Sequence, residues 1–116
     1  MFSVKDKVIV ITGASGLLGK KIVASLKNRD AKVISTDINF DNQLDDNFIL
    51  DITDENSIKS VVTDIVKKYG RIDGWVNNAY PRTKDWGEKL EDIPFESWRK
   101  NVDMHLNGYY LCCQIV

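Results

Sequence analysis

The chain has 116 residues, 43% of them hydrophobic and 28% charged, with a formal net charge of −1. That length and ordinary globular composition suit one domain with a modest core. The charge balance gives no reason to expect a nucleic acid or an anionic membrane as partner, and no apolar run approaches membrane-spanning length.

Met1 to Lys7 carries Lys5, Asp6 and Lys7 and no long apolar stretch, so no signal peptide is expected and the cytoplasm is the default location. Lys7–Thr12 predicts a first strand, apolar on both faces as a central parallel strand must be. Gly13, Gly16 and Gly19 follow it at once. Gly16 to about Asn28 predicts a helix, with Leu18, Ile22 and Leu26 on one face and Lys20, Lys21 and Lys27 elsewhere. After the polar turn Asn28-Arg29-Asp30, Lys32–Asp37 reads as a second strand ending on an acid. Ile38–Asp46 is an acidic surface loop, and Asn47–Leu50 a short third strand followed by Asp51.

Thr53 is the expected N-cap of the next helix, with Asp54 and Glu55 in its first turn. Ile58, Val61, Val62, Ile65, Val66 and Tyr69 form its apolar face, and Lys67, Lys68 and Gly70 end it. Asp73–Asn77 predicts a fourth strand, running into Asn78, Ala79 and Tyr80. A polar loop with Trp86 and Gly87 leads to Pro94, which suits a first helical turn. From Phe95 the pattern is helical to the end, with Trp98, Val102, Leu106 and Tyr109 near one face. Trp98, Tyr109 and Tyr110 read as core or subunit interface, and the adjacent Cys112 and Cys113 as reduced, buried packing. No repeat, low-complexity tract or linker interrupts the pattern. Strands and helices alternate, which predicts an α/β, doubly wound parallel sheet of the Rossmann type with strand order 3-2-1-4. Its ligand belongs at the switch point beyond the carboxyl ends of the strands.

Chemistry concentrates there. Strand, glycine turn and helix present unpaired N–H groups and a positive helix end to a phosphate. A P-loop is excluded by spacing: five residues separate Gly13 from Gly19, and Lys21 stands where a magnesium-binding Ser or Thr is needed. Asp37, 18 residues beyond Gly19, can hydrogen-bond both hydroxyls of an adenosine ribose and would repel a 2′-phosphate. With Ile38 next, not arginine, it favours NAD over NADP; otherwise it is an acid in a turn. Asp51 could reach an adenine amino group, with Ile52 covering the ring, or could belong to a helix-capping segment. Asn77 and Asn78 could hold a cleft open, or mark a plain turn. His105, the only histidine, is a candidate catalytic residue near the cleft, or else a packed or surface histidine. No metal site is expected.

These motifs, in this order, resemble those of the short-chain dehydrogenases/reductases over the whole chain. Asn78 to Trp86 and Phe95 to Gly108 resemble more closely the bacterial oxidoreductases of flagellin modification and legionaminic acid (nine-carbon acidic sugar) biosynthesis. The resemblance implies a Rossmann fold, NAD(P) and hydride transfer at a carbonyl or alcohol carbon of a small molecule. It implies that Gly13, Ser15, Gly16, Leu17, Leu18 and Gly19 line the pyrophosphate, and that Asp37 and Ile38 sit at the adenosine ribose. Asp51 and Ile52 would contact adenine, and Asn78, Ala79 and Tyr80 would face the nicotinamide-side ribose.

Three features depart from the family pattern. The middle glycine is at 16 rather than 17, the spacing of the extended branch. Tyr80 stands where the Asn-Asn-Ala motif ends in glycine, and His105 stands where the resemblance implies an active-site Asn whose backbone carbonyl anchors a relay water. The family's catalytic Ser and Tyr-x-x-x-Lys would follow one strand–helix unit later, so residues 1–116 are expected to be the NAD(P)-binding half of an enzyme, inactive and poorly stable alone. A non-catalytic dinucleotide-binding regulatory or assembly module is the alternative. A homo-oligomer through the C-terminal helical region is expected.

Overall fold

The computed structural model describes residues 2–116, so expectations for Met1 lie outside it. Four strands form one parallel sheet in the order β3-β2-β1-β4, the expected winding. They are β1 (Val8–Thr12), β2 (Lys32–Asp37), β3 (Asn47–Ile49) and β4 (Gly74–Val76). All five residues of β1 are buried because helices cover both faces of the sheet. Alternation along β1 splits the core. Val8 and Val10 join Ile34, Ile58 and Ile65 under α2 (Glu55–Tyr69), while Ile9 and Ile11 join Val33 against α1 (Leu17–Lys27). Each such side chain contributes about 1.5–3 kcal/mol when fully buried.

Asp73 ties down the start of β1: its carboxylate accepts the Val8 N–H at 2.8 Å. The Arg71 guanidinium beside it holds this carboxyl below the usual range, helped by the Val8 N–H.

Several local expectations are corrected. The N-cap of α2 is Asp54, not Thr53; its Oδ1 accepts the N–H groups of Asn56 and Ser57. Thr53 is occupied one step earlier, where both its N–H and hydroxyl donate to Asp51 Oδ1. Gly70 ends α2 in the left-handed conformation, φ 82°, with its N–H on the Val66 carbonyl. Val66 itself is exposed, so the apolar face of α2 is narrower than its periodicity suggests. Leu18 is also exposed, and Gly19, Ile22, Val23 and Leu26 form the packed face of α1.

The last helical run has three parts: α3 (Phe95–Val102), a π-helical turn at Asp103–Asn107, and α4 (Gly108–Ile115). Asn101, Gly108 and Cys112 are its fully buried residues, and Tyr109, Leu111 and Ile115 pack partly buried against the same core. Gly108 is there because α4 lies against the segment after β3, where a Cβ would come 3.1 Å from the Ile52 carbonyl oxygen. Trp98, Val102, Leu106 and Tyr110 are therefore exposed, against the core reading, and Tyr109 is half-buried. Cys112 is buried as expected, and burial pushes its thiol up to about 11; Cys113 is exposed. Among the described residues no helix is long and apolar enough to cross a membrane.

Candidate cofactor site

Two adjoining clefts open at the carboxyl ends of the strands. One, about 500 Å³, is lined by the glycine turn, Leu17, Leu18, Asn78, Tyr80 and Arg82; the other, about 120 Å³, by Ile38, Leu50, Asp51, Ile52 and Pro81. Gly13, Asp37 and Tyr80 line both.

The glycines of the turn have different tasks. Gly13 has φ +63°, and a Cβ there would meet Ala79 Cα at 2.8 Å, so it lets the turn touch the end of β4. Gly19 lets α1 sit on the turn itself. Gly16 faces the larger cleft and is the N-cap of α1, with no side-chain cap. The N–H groups of Leu17, Leu18 and Gly19 open the helix without intrahelical partners. Those donors and the positive end of the helix dipole suit an anion. Leu17 and Leu18 are 85% and 67% exposed because they project beside these donors, not toward the sheet.

Asp37 closes the site from β2. Its Oδ2 accepts the Ser15 N–H at 3.0 Å and the Ser15 hydroxyl at 2.5 Å, and its Oδ1 accepts the Ile38 N–H at 2.8 Å. A carboxylate has roughly four acceptor positions, so capacity remains for a ribose hydroxyl. Ser15 consequently lines neither cleft; it positions Asp37 instead of facing the pyrophosphate space.

The end of β4 is joined to the turn by Thr12 and Asn78. The Thr12 hydroxyl donates to the Val76 carbonyl and accepts the N–H groups of Asn78 and Ala79. Asn78 Nδ2 donates to the carbonyls of Thr12 and Gly13 at 3.0 and 3.1 Å. Tyr109 donates its hydroxyl to the Ala79 carbonyl at 2.6 Å, and burial raises the pKa of that hydroxyl. Asn77 lies outside both linings, accepting the Trp75 indole N–H.

His105 lines neither cleft. Its ring stacks on Tyr80, centroids 4.2 Å apart, and its Nε2 meets the Pro81 carbonyl. Thr12, Pro81 and Arg82 were not singled out by sequence. Thr12 precedes the first glycine and could have been suspected; Arg82 sits in a polar loop that carries no spacing signal.

The arrangement fits a dinucleotide: orphan N–H donors for a diphosphate, a carboxylate for ribose hydroxyls, and Ile38 and Ile52 as apolar walls. The family model described as short chain dehydrogenase matches residues 7–116. The chain belongs to the short-chain dehydrogenase family. It is 35% identical to the NAD-dependent glycerol dehydrogenase of Listeria innocua, over 99% of this chain and 48% of that protein. It is 30% identical to post-translational flagellin modification protein A of Campylobacter coli, over 95% and 48%. Aldohexose dehydrogenase of Thermoplasma acidophilum superposes with TM-score 0.82 at 31% identity, covering 97% of this chain and 43% of that one. The chain thus spans about half the length of the curated relatives it matches.

Proposed function

We propose that this chain is the cofactor-binding half of an NAD-dependent oxidoreductase that moves hydride at a carbonyl or alcohol carbon of a sugar or sugar-derived substrate. The observation that carries the cofactor choice is Asp37, anchored on Ser15 at the rim shared by both clefts. The names of the glycerol and aldohexose dehydrogenases support a polyol or sugar, and that of the flagellin modification protein supports surface glycan modification. A nicotinamide dinucleotide held in the cleft would supply the hydride chemistry. The chain's own residues bind and orient it. The N–H groups of Leu17, Leu18 and Gly19 hold the diphosphate, and Asp37 accepts from ribose hydroxyls. Ile38 and Ile52 flank the adenine beside Asp51, and Ala79 and Tyr80 border the nicotinamide end. His105 acts here as a positioning residue, since its Nε2 is engaged by the Pro81 carbonyl. The free cysteines suit the cytoplasm.

Calorimetric titration of the full-length protein tests this reading. NADH binds more tightly than NADPH. Asp37→Ala weakens NADH about 10- to 100-fold, the worth of hydrogen bonds to a charged group, and narrows or reverses the preference. A wild-type protein that binds neither dinucleotide sinks the proposal.

The same reading places a homo-oligomer contact on the last helical run, where Trp98, Val102, Leu106 and Tyr110 recur every four residues and are exposed. Four exposed apolar side chains along one helical run are a candidate surface for burial against a second copy. In light scattering the full-length protein is larger than a monomer, and Leu106→Glu reduces its mass; a wild-type monomer rules the contact out.

A further inference from the structure

We infer that Arg82 is a cofactor-binding residue whose guanidinium engages the diphosphate from the side of the cleft opposite the glycine turn; this rests on the dinucleotide reading above. Arg82 is the only cation among the residues lining the larger cleft, which it shares with Gly16, Leu17, Leu18 and Gly19. The ion pairs of the described residues engage Lys27, Lys59, Arg71 and Arg99, and none engages Arg82. The one carboxylate in that lining, Asp37, already accepts three hydrogen bonds from the Ser15 N–H and hydroxyl and the Ile38 N–H. Asp37 is directed to the Ser15 side of the turn, so the exposed Arg82 guanidinium and the backbone donors at the start of α1 are the groups of this cleft left to meet an anion.

The backbone around Arg82 is fixed on both sides. Before it, the ring of Pro81 restrains φ, and the Pro81 carbonyl is held by His105 Nε2. After it, Thr83 is held by Asn101, a fully buried side chain. Asn101 Oδ1 accepts the Thr83 N–H at 3.0 Å, and Asn101 Nδ2 donates to the Thr83 hydroxyl at 2.7 Å. That hydroxyl donates in turn to Asp85, which also accepts from Ser97. The Ser97 and Thr83 hydroxyls keep the Asp85 carboxyl below the usual range, so the network stays charged and intact. A loop pinned at 81 and 83 brings Arg82 to the cleft without ordering a mobile segment, which is the usual cost of recruiting a loop residue to a ligand. Guanidinium suits the task because its planar fork bonds two phosphate oxygens at once.

The test is titration of the full-length protein with ADP-ribose, NADH and NADPH, comparing wild type with Arg82→Ala and Arg82→Lys. Arg82→Ala weakens ADP-ribose and NADH to the same extent, about 10- to 100-fold, and flattens their salt dependence. Arg82→Lys recovers part of the loss, and the melting temperature of both variants stays near that of wild type because the side chain is exposed. ADP-ribose binding within about twofold of wild type in Arg82→Ala overturns the inference. So does a loss confined to NADPH, which assigns Arg82 to a 2′-phosphate, or a rise in substrate KM with ADP-ribose unchanged, which assigns it to substrate. If wild type binds none of the three, the dinucleotide reading fails, and this assignment with it.

Discussion

Gly19→Ala abolishes measurable dinucleotide binding and destabilises the full-length protein by about 3 kcal/mol or more, at the upper end of what overpacking costs. The reason is local and severe. A Cβ at position 19 would lie 2.2 Å from the Gly13 carbonyl oxygen and 2.8 Å from Ala14 Cα, and all of the close atoms are backbone. No rotamer change relieves that contact, so α1 must lift off the turn. Lifting it withdraws the N–H groups that face the cleft and uncovers Ala14, which is buried under the helix. Two control variants make the expectation specific. At Gly16 the nearest atom to a new Cβ is 3.3 Å away, and the φ there is −74°, so Gly16→Ala costs much less stability while still crowding the cleft. At Gly87 nothing lies within 4 Å, and alanine changes stability by about 0.5 kcal/mol or less. Denaturant midpoints with unchanged m-values give the comparison. Equal costs at positions 16 and 19 would show that the helix tolerates displacement and that the glycines serve the ligand alone.

Legibility in the sequence followed what kind of force fixed each element. β2 was predicted to the residue, and β1 to within one, because β-branched runs buried on both faces have no competing pattern. Strand order followed from the alternation of elements. Hydropathy misjudged exposure where a surface faces something other than the core. Leu17 and Leu18 sit over a cleft, and Trp98, Val102 and Leu106 lie on the outer side of α3 and the π turn. The fully buried positions of that run are an asparagine, a glycine and a thiol, which periodicity does not mark as a core face, with Tyr109, Leu111 and Ile115 packed beside them.

The site shows the same division. Gly13, Gly16, Gly19 and Asp37 were legible because a turn next to a strand end needs few residue types. The roles of Ser15 and His105 were not, since each depends on a partner 22 or 24 residues away, Asp37 and the Pro81 carbonyl. The Asn101–Thr83–Asp85–Ser97 network was silent for the same reason: no spacing rule links a loop to the inward side of a later helix.

Thr12→Val is expected to cost about 2–3 kcal/mol, toward the upper end for one orphaned buried donor, with Thr12→Ser costing roughly 1 kcal/mol or less. Valine has nearly the shape of threonine, so the change opens no cavity. It removes one hydroxyl, and that hydroxyl is the junction between the glycine turn and β4. Of the three main-chain groups it bonds, the Ala79 N–H at 2.9 Å is left without a partner, while the Val76 carbonyl and the Asn78 N–H keep the 3.0 Å hydrogen bond between them. Thr12 is 1% exposed, so water does not readily replace it. Leaving a buried donor or acceptor unmade costs about 1–3 kcal/mol each, far more than forming one in water gains. The turn is also held by Asn78 Nδ2, which bonds the carbonyls of Thr12 and Gly13. Thr12→Val and Asn78→Ala should therefore be non-additive, with a coupling energy in the range of about 0.5–3 kcal/mol expected for one shared network. Both variants widen the contact between Gly13 and Ala79 and weaken NADH binding, whereas Thr12→Ser keeps it. The decisive comparison is valine against serine: if both lose the same stability, the methyl group and not the hydroxyl supports the junction, and the two halves of the cleft are joined by packing alone.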